Sequence, residues 1–359
     1  MPKKEQTLRE KITNNAVFYT LLSILFGFLV GAIALAIAGY NPITAYGDMF
    51  YRIFGRPNWR SYSFIEYSTP FILTGLSVAF SFKTGVFNIG AEGQYVVGAL
   101  AAVLVGIFVP APPLILITLC LLAAVAAGMA WGAIVGFLKV RFGVNEVLSM
   151  IMFNWIAYYL SNFVVNLKSV EVGGGKTWTK LIQDNAKITW GKEIITRFGF
   201  SPKAHGGILI ALLAVVVVWY IIDKTTLGYR LKAVGYNRNA AEFAGIDANK
   251  SIIISLAISG CLAALAGAIQ VLGVNYKVSQ FAGQEGYGFN GITVALIGNT
   301  NPFGVLLAGF FFGSLKFAGT RFGPPSEVVD IMMGCITYFI AISSLLKEVF
   351  TKKPKRGAN

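Results

Sequence analysis

Charge is what this chain has least of. Charged residues make up 13% of its 359 residues, about half the share usual in soluble domains. A soluble protein of this length carries charge along its helices, so that class is excluded. Acid is scarcer than base, 16 against 30, for a net charge of +14. A basic sum can point to nucleic acid. Here the basic residues sit in loops between apolar stretches, where topology-setting charge explains them, and no nucleic-acid partner is expected. Cysteine is limited to Cys120, Cys261 and Cys335, all in apolar stretches, with no CxxC pair and no metal spacing. They read as small buried residues. The single histidine, His205, has no cysteine near it, so neither a metal site nor a cofactor is expected. HExxH and GxSxG are absent, and no catalytic residue is assigned. Gly173–Thr177, GGGKT, resembles the end of a phosphate loop. The glycine that this pattern needs five residues before Gly175 is Val170.

What is present is apolar: 55% hydrophobic residues, in stretches that exceed the roughly 18–20 residues needed to cross a bilayer. The fold class is all-α, a polytopic membrane protein of about ten transmembrane helices, some interrupted. The segments lie near 16–39, 62–82, 85–109, 113–138, 146–167, 207–222, 251–274, 287–299, 302–320 and 327–346. The run from Ala16 to Gly39 is too long for a cleavable signal core of about 7–15 residues, and reads as a first span that stays. The eighth segment is short and bears glycine, as a half-span lining a cavity would. Lys3, Lys4, Arg9 and Lys11 precede the first span, and Lys347, Lys352, Lys353, Lys355 and Arg356 follow the last. By the positive-inside rule both termini are cytoplasmic. The chain is expected to form one transmembrane domain, 1–359, with a long extracellular loop at 168–205 and a cytoplasmic loop at 224–250. Phe87-Asn88 in the third segment is echoed by Phe289-Asn290 in the eighth, a hint of paired interrupted segments.

Thr84–Gly98, TGVFNIGAEGQYVVG, places an asparagine, a glutamate, a glutamine and several glycines inside apolar sequence. Read as a helix, it puts Asn88, Glu92 and Tyr95 on one face and Gly90, Gly93 and Val97 on the other. An ionisable residue in a membrane segment normally faces a cavity, a pathway or a partner. Two readings of Asn88, Glu92 and Gln94 stay open: they line a substrate pathway, or they bond to neighbouring helices and hold the fold together. Asn154 and Asn290 are further pathway candidates, with Thr293 beside Asn290. Phe87, Trp155, Tyr158 and Phe289 could stack on a planar base, or serve as ordinary core aromatics. Asn145-Glu146 reads as a helix N-cap with an acid in the first turn. In the loop 224–250, Asn237 or Asn239 can cap a short helix, Ala240–Ala244, that Gly245 ends. Small Ala240 and Ala241 would leave one side of it flat. Beside Arg230, Lys232 and Arg238 it would sit in another protein's groove or near headgroups. The basic residues of 168–205 (Lys176, Lys180, Lys187, Lys192, Arg197, Lys203) outnumber Glu171, Asp184 and Glu193. They suit the acidic rim of a partner, or plain solvation.

FNIGAEGQ, following TPFILTGLSVAFSFKTG (Thr69–Gly85), resembles the signature of ABC-importer permeases of the branched-chain amino acid/simple-sugar class. Within that class it is similar to nucleoside-type permeases that work with basic-membrane-protein-like lipoproteins. GVNEVLSMIMFNWIA (Gly143–Ala157), TTLGYRLKAVGYNRNAAEFAGI (Thr225–Ile246) and GYGFNGITVALIGNTNPFG (Gly286–Gly304) match the same family in the same order. The resemblance spans roughly residues 65 to 345. It implies a permease subunit in a bacterial plasma membrane, without an ATPase site of its own. The implied partners are an ABC ATPase, a second homologous permease and a substrate-binding lipoprotein. Nucleosides are the leading substrates and simple sugars the alternative. It also implies a coupling helix that docks on the ATPase, carried by Gly235, Asn237, Ala240, Ala241 and Gly245. A different class, an ion-coupled secondary transporter with Glu66, Glu92 and Lys316 as a relay, would have no use for that loop. A non-transport membrane anchor would have no use for polar residues inside several spans.

Overall fold

The computed structural model describes residues 16–54, 64–189, 205–320 and 326–343. The terminal basic clusters, and Lys192, Glu193, Arg197 and Lys203 of the long loop, lie outside the described residues. Helices dominate what is described: α1 (Ala16–Ile37), α2 (Pro42–Phe54), α3 (Phe64–Phe82), α4 (Ala91–Phe108), α5 (Pro113–Phe142), α6 (Glu146–Val165), α7 (Gly207–Lys224), α8 (Thr226–Tyr236), α9 (Arg238–Phe243), α10 (Ala248–Gln270), α11 (Tyr287–Ile297), α12 (Pro302–Thr320) and α13 (Ser326–Ala341). Each of the ten expected segments corresponds to one of them. Seven helices among the described residues are long and apolar enough to cross a membrane. The short eighth segment is α11, whose 11 residues rise only about 16 Å, roughly half a bilayer core of about 30 Å. The chain is a multi-pass membrane protein.

Two compact units form. In the first, α1 packs on α13 and α2. Ser23 donates to the Phe339 carbonyl at 3.0 Å, and the Tyr46 hydroxyl donates to the Phe28 carbonyl at 2.6 Å. Amphipathic α2 lies in what hydropathy leaves as a connection between the first two spans. It buries Ala45, Met49 and Ile53 while Ile43 and Phe54 stay exposed.

In the second unit α3 is the centre, buried along nearly its whole length from Ile65 to Ser81. Its Ser68, Thr69 and Thr74 hydroxyls donate to carbonyls one turn back in α3 itself, and Ser77 Oγ meets Ser259 Oγ of α10 at 2.9 Å. Around it stand α4, α10 and α11. Lipid tails are as apolar as leucine, so helices in a bilayer associate through close packing and hydrogen bonds. Glycines provide the close packing. A Cβ on Gly267 of α10 would lie 2.0 Å from the Tyr95 carbonyl oxygen of α4, and one on Gly98 of α4 would lie 2.3 Å from the Ala264 carbonyl oxygen. At one end of this unit Val103, Leu116, Ile182, Ile188, Leu272 and Val278 form a cluster that includes part of the long loop. At the other, Val86, Met150, Val234, Ala241 and Ile252 form a second.

Overpacking such a contact costs about 1–3 kcal/mol or more, and here the obstacle is backbone. Gly267→Leu is expected to remove most of the folded protein on fluorescence-detected size exclusion. Gly334→Leu, with nothing within 4 Å of its Cβ position, is expected to leave the level unchanged.

Candidate functional site

Two helices of the second unit begin inside the protein, and their first amides need partners there. Helical periodicity predicts one helix over Thr84–Gly98. In the structure α4 starts only at Ala91, and residues 86–90 run as a non-helical segment after a turn at Gly85, where φ is +74°. Asn88 therefore does not share a helical face with Glu92 and Tyr95. The segment holds because side chains replace the missing ladder. Asn154 of α6 donates to the Ile89 carbonyl at 3.1 Å, and its Oδ1 accepts from the Gly93 amide at 2.8 Å. That second bond caps the start of α4 from another helix.

Glu92 serves α11 in the same way. One carboxylate oxygen accepts from the Gly286 amide and the other from the Gly288 amide, both at 2.7 Å. Gly286 has φ +82°, a conformation natural to glycine, which turns its amide toward the carboxylate. A Cβ at Gly288 would lie 2.1 Å from the Glu92 nitrogen, so only glycine allows the two backbones to meet. A carboxylate at a helix N-terminus also complements the helix dipole. Tyr95, one turn on, stacks on Tyr287 with ring centroids 5.3 Å apart, and Phe71 packs on the same ring at 5.2 Å.

Asn88 sits in a buried polar knot of three helices. Its Nδ2 lies 2.6 Å from Ser259 Oγ, 2.9 Å from Gln94 Oε1 and 3.2 Å from Ser77 Oγ. Ser259 also donates to the Ser77 carbonyl at 2.7 Å. Of the candidate residues, then, Asn88 and Gln94 bond to each other, while Glu92 and Asn154 each hold a helix start. Asn290, half-buried in the first turn of α11, has no side-chain hydrogen bond to this group among the described residues. Thr293 is buried. Asn145 caps α6 by accepting from the Val147 and Leu148 amides, and Glu146 pairs with Lys139 at 2.6 Å.

The 224–250 loop contains two helices, α8 and α9. Thr225 caps the first and Asn237 the second, with Asn237 Oδ1 3.0 Å from the Ala240 amide. A Cβ on Gly235 would lie 2.2 Å from the Lys83 carbonyl oxygen, so α8 is pressed against the turn that leads into residues 86–90. In the same turn Lys83 Nζ donates to Thr300 Oγ1 at 2.8 Å, and burial lowers its pKa from the usual ammonium value. Ala240 is exposed, but Ala241 is buried beside Val86 and Met150. The flat side expected from the alanine pair is therefore half internal. What projects outward is Phe243, 94% exposed, and Tyr236, 89% exposed. The φ of Gly245 is +79°.

The 168–189 part of the long loop is pinned down rather than loosely solvated. The Thr179 amide donates to the Val278 carbonyl, the Gln280 amide to Thr177, and the Ile188 amide to Leu272. Lys277 Nζ lies 3.9 Å from the centre of the Trp178 ring. Gly173, Gly174 and Gly175 all have positive φ and lead into an isolated bridge, Trp178 to Ser279, where a phosphate loop would lead into a helix. Sequence reasoning missed Glu285, which faces a cavity near Tyr95. The signal that could have found it was its place one residue before the Gly286–Gly304 motif.

Residues 62–341 match the family described as branched-chain amino acid transport system / permease component. The chain is 40% identical over 343 residues to the guanosine ABC transporter permease protein NupP of Bacillus subtilis, covering 94% of this chain and 97% of that one. It is 32% identical over 340 residues to the glucose ABC transporter permease protein TsgB13 of Haloferax volcanii, covering 91% and 88%. It is 31% identical over 291 residues to the guanosine ABC transporter permease protein NupQ of B. subtilis, covering 78% and 89%.

An unsatisfied buried amide costs about 1–3 kcal/mol. Glu92→Leu orphans two amides and is expected to lower the amount of folded protein severalfold. Glu92→Gln keeps one acceptor oxygen and is expected to fall between. Asn154→Ala should resemble Glu92→Leu. Normal folded levels of Glu92→Leu, on size exclusion and by thermal shift, would show that the capping bonds are dispensable.

Proposed function

The chain belongs to the family of branched-chain amino acid transport system permease components, and from that premise we propose that it forms half the pore of an ATP-driven nucleoside importer. The observation that carries the substrate is the 40% identity, nearly end to end, to a guanosine permease. The glucose permease is less similar and leaves simple sugars as the second reading. B. subtilis has two different guanosine permeases, NupP and NupQ, which favours a pore built from this chain and a homologous but different partner. A separate ABC ATPase supplies the energy, and a substrate-binding lipoprotein delivers cargo. The membrane is a bacterial plasma membrane with both termini on the cytoplasmic side, which puts α8 and α9 in the cytoplasm beside the ATPase.

The elbow of α8 and α9 supports the coupling role. It is rooted through Gly235 and Ala241 in the cluster around residues 86–90, and it exposes Phe243 at its tip. A large apolar side chain exposed to water suits a groove on a partner. Movement of the elbow would pass through Val86 to the segment that carries Asn88 and precedes Glu92. On this reading Asn88, Gln94, Glu92 and Asn154 frame the pathway by fixing the starts of α4 and α11, and Asn290 lies on its edge.

Uptake is expected to stop when the partner ATPase is disabled and membrane gradients are left intact. Ion-driven uptake by this chain alone in proteoliposomes would sink the importer reading. Phe243→Ala is expected to leave folded levels unchanged and to lower co-purification with the ATPase about tenfold, a loss typical of an interface hot spot. Ala241→Arg, by contrast, is expected to lower the folded level itself. Full retention of the complex and of transport in Phe243→Ala would remove α9 from the interface.

A further inference from the structure

A cavity of about 210 Å³ lies between α4 and the chain that follows α10. Its polar lining comes from Tyr95, Asn275, Lys277, Ser279 and Glu285, and Phe281 supplies an aromatic wall. Glu285 is exposed and lines this cavity. It forms no ion pair among the described residues, and Tyr95 lines the same cavity. Lys277, the one cation of the lining, lies over the Trp178 ring.

The walls are fixed. The Phe281 amide donates to Asn162 Oδ1 at 2.8 Å, and its carbonyl accepts from the Tyr158 hydroxyl at 2.9 Å. Val278 is tied to Thr179 through its amide and its carbonyl. Pre-fixed walls spare a ligand the cost of ordering them.

We propose that this cavity is a solute subsite in which the Glu285 carboxylate receives the N–H edge of an uncharged purine base. The proposal rests on the nucleoside-importer reading and adds to it a place and a chemistry. The volume is below the roughly 300–1,000 Å³ of sites that enclose a whole ligand, so it takes the base and leaves the sugar at the mouth. An ionised carboxylate only accepts. It selects a base with adjacent N–H donors, such as guanine with its ring N–H and amino group, over one without them, because an unmatched polar group is costly. Phe281 offers a face for stacking. Glu285 repels anions, and the N-terminus of α11, which would otherwise attract them, is already occupied by Glu92; the one lining cation, Lys277, is engaged over the Trp178 ring.

The test uses the assembled importer in nanodiscs, with Ser279→Cys as a reporter at the cavity wall and a membrane-impermeant thiol reagent. The unmutated importer serves as the control for Cys120, Cys261 and Cys335. Saturating guanosine is expected to slow labelling at least fivefold. Guanosine 5′-monophosphate should protect at least tenfold less well, and Glu285→Gln should abolish most of the guanosine protection. The subsite is overturned if guanosine gives no protection while the unmutated importer still takes up guanosine with ATP. It is also overturned if the monophosphate protects equally, or if Glu285→Gln protects undiminished. If Glu285→Gln fails to assemble on size exclusion, the comparison of guanosine with its monophosphate in Ser279→Cys alone decides. Absence of ATP-driven guanosine uptake by the unmutated importer is a separate result, and removes the importer reading and the subsite together.

Discussion

A helix that begins away from water must find acceptors for its first amides, and the centre of this protein is arranged around that constraint. Glu92 provides both oxygens to the start of α11, and Asn154 provides one to the start of α4. Without such partners neither helix could begin inside the protein, because each bare amide in an apolar medium is costly. The polar residues that look extravagant in a membrane sequence are thus what permits irregular backbone there. Chain breaks and polar side chains come together because each requires the other.

The glycines serve the same end. Gly288 lets the backbone of α11 reach the backbone at Glu92, and Gly267 and Gly98 bring α4 and α10 to within backbone contact. At these distances a shift at one element is felt directly by its neighbour. That property suits a subunit whose elbow, α8 and α9, is anchored in the same cluster as the segment leading into α4. Binding energy applied at an exposed tip can then reach the interior without passing through flexible chain. At the opposite end of the unit, the long loop is hydrogen-bonded to the wall of the cavity that holds Glu285. A protein docking on that loop would act on the cavity wall in the same direct way.

Composition and hydropathy by themselves determined the membrane class, the ten segments and the half-length of α11, since crossing lipid depends on length and apolarity, which are properties of the chain alone. The N-caps Asn145 and Asn237 were equally legible, because a cap and its amides lie within three residues. Legibility ended where partners are remote in sequence. Glu92 and Gly286 are 194 positions apart, and no spacing rule connects them. Helical periodicity carried α4 back through Asn88, yet the tertiary bonds of Asn154 and the turn at Gly85 end the helix at Ala91. Local propensity could not foresee this, because the energy that stabilises the break comes from another helix. Burial decided between Ala240 and Ala241, which look alike in sequence, and gave the outward role to Phe243. Glu285 gained its significance only once α10 and the chain after it folded back beside Tyr95 and enclosed a cavity. Which residues are apolar enough to enter the membrane is written in the chain; which polar group meets which amide is decided only when helices distant in sequence are brought to within 3 Å of each other.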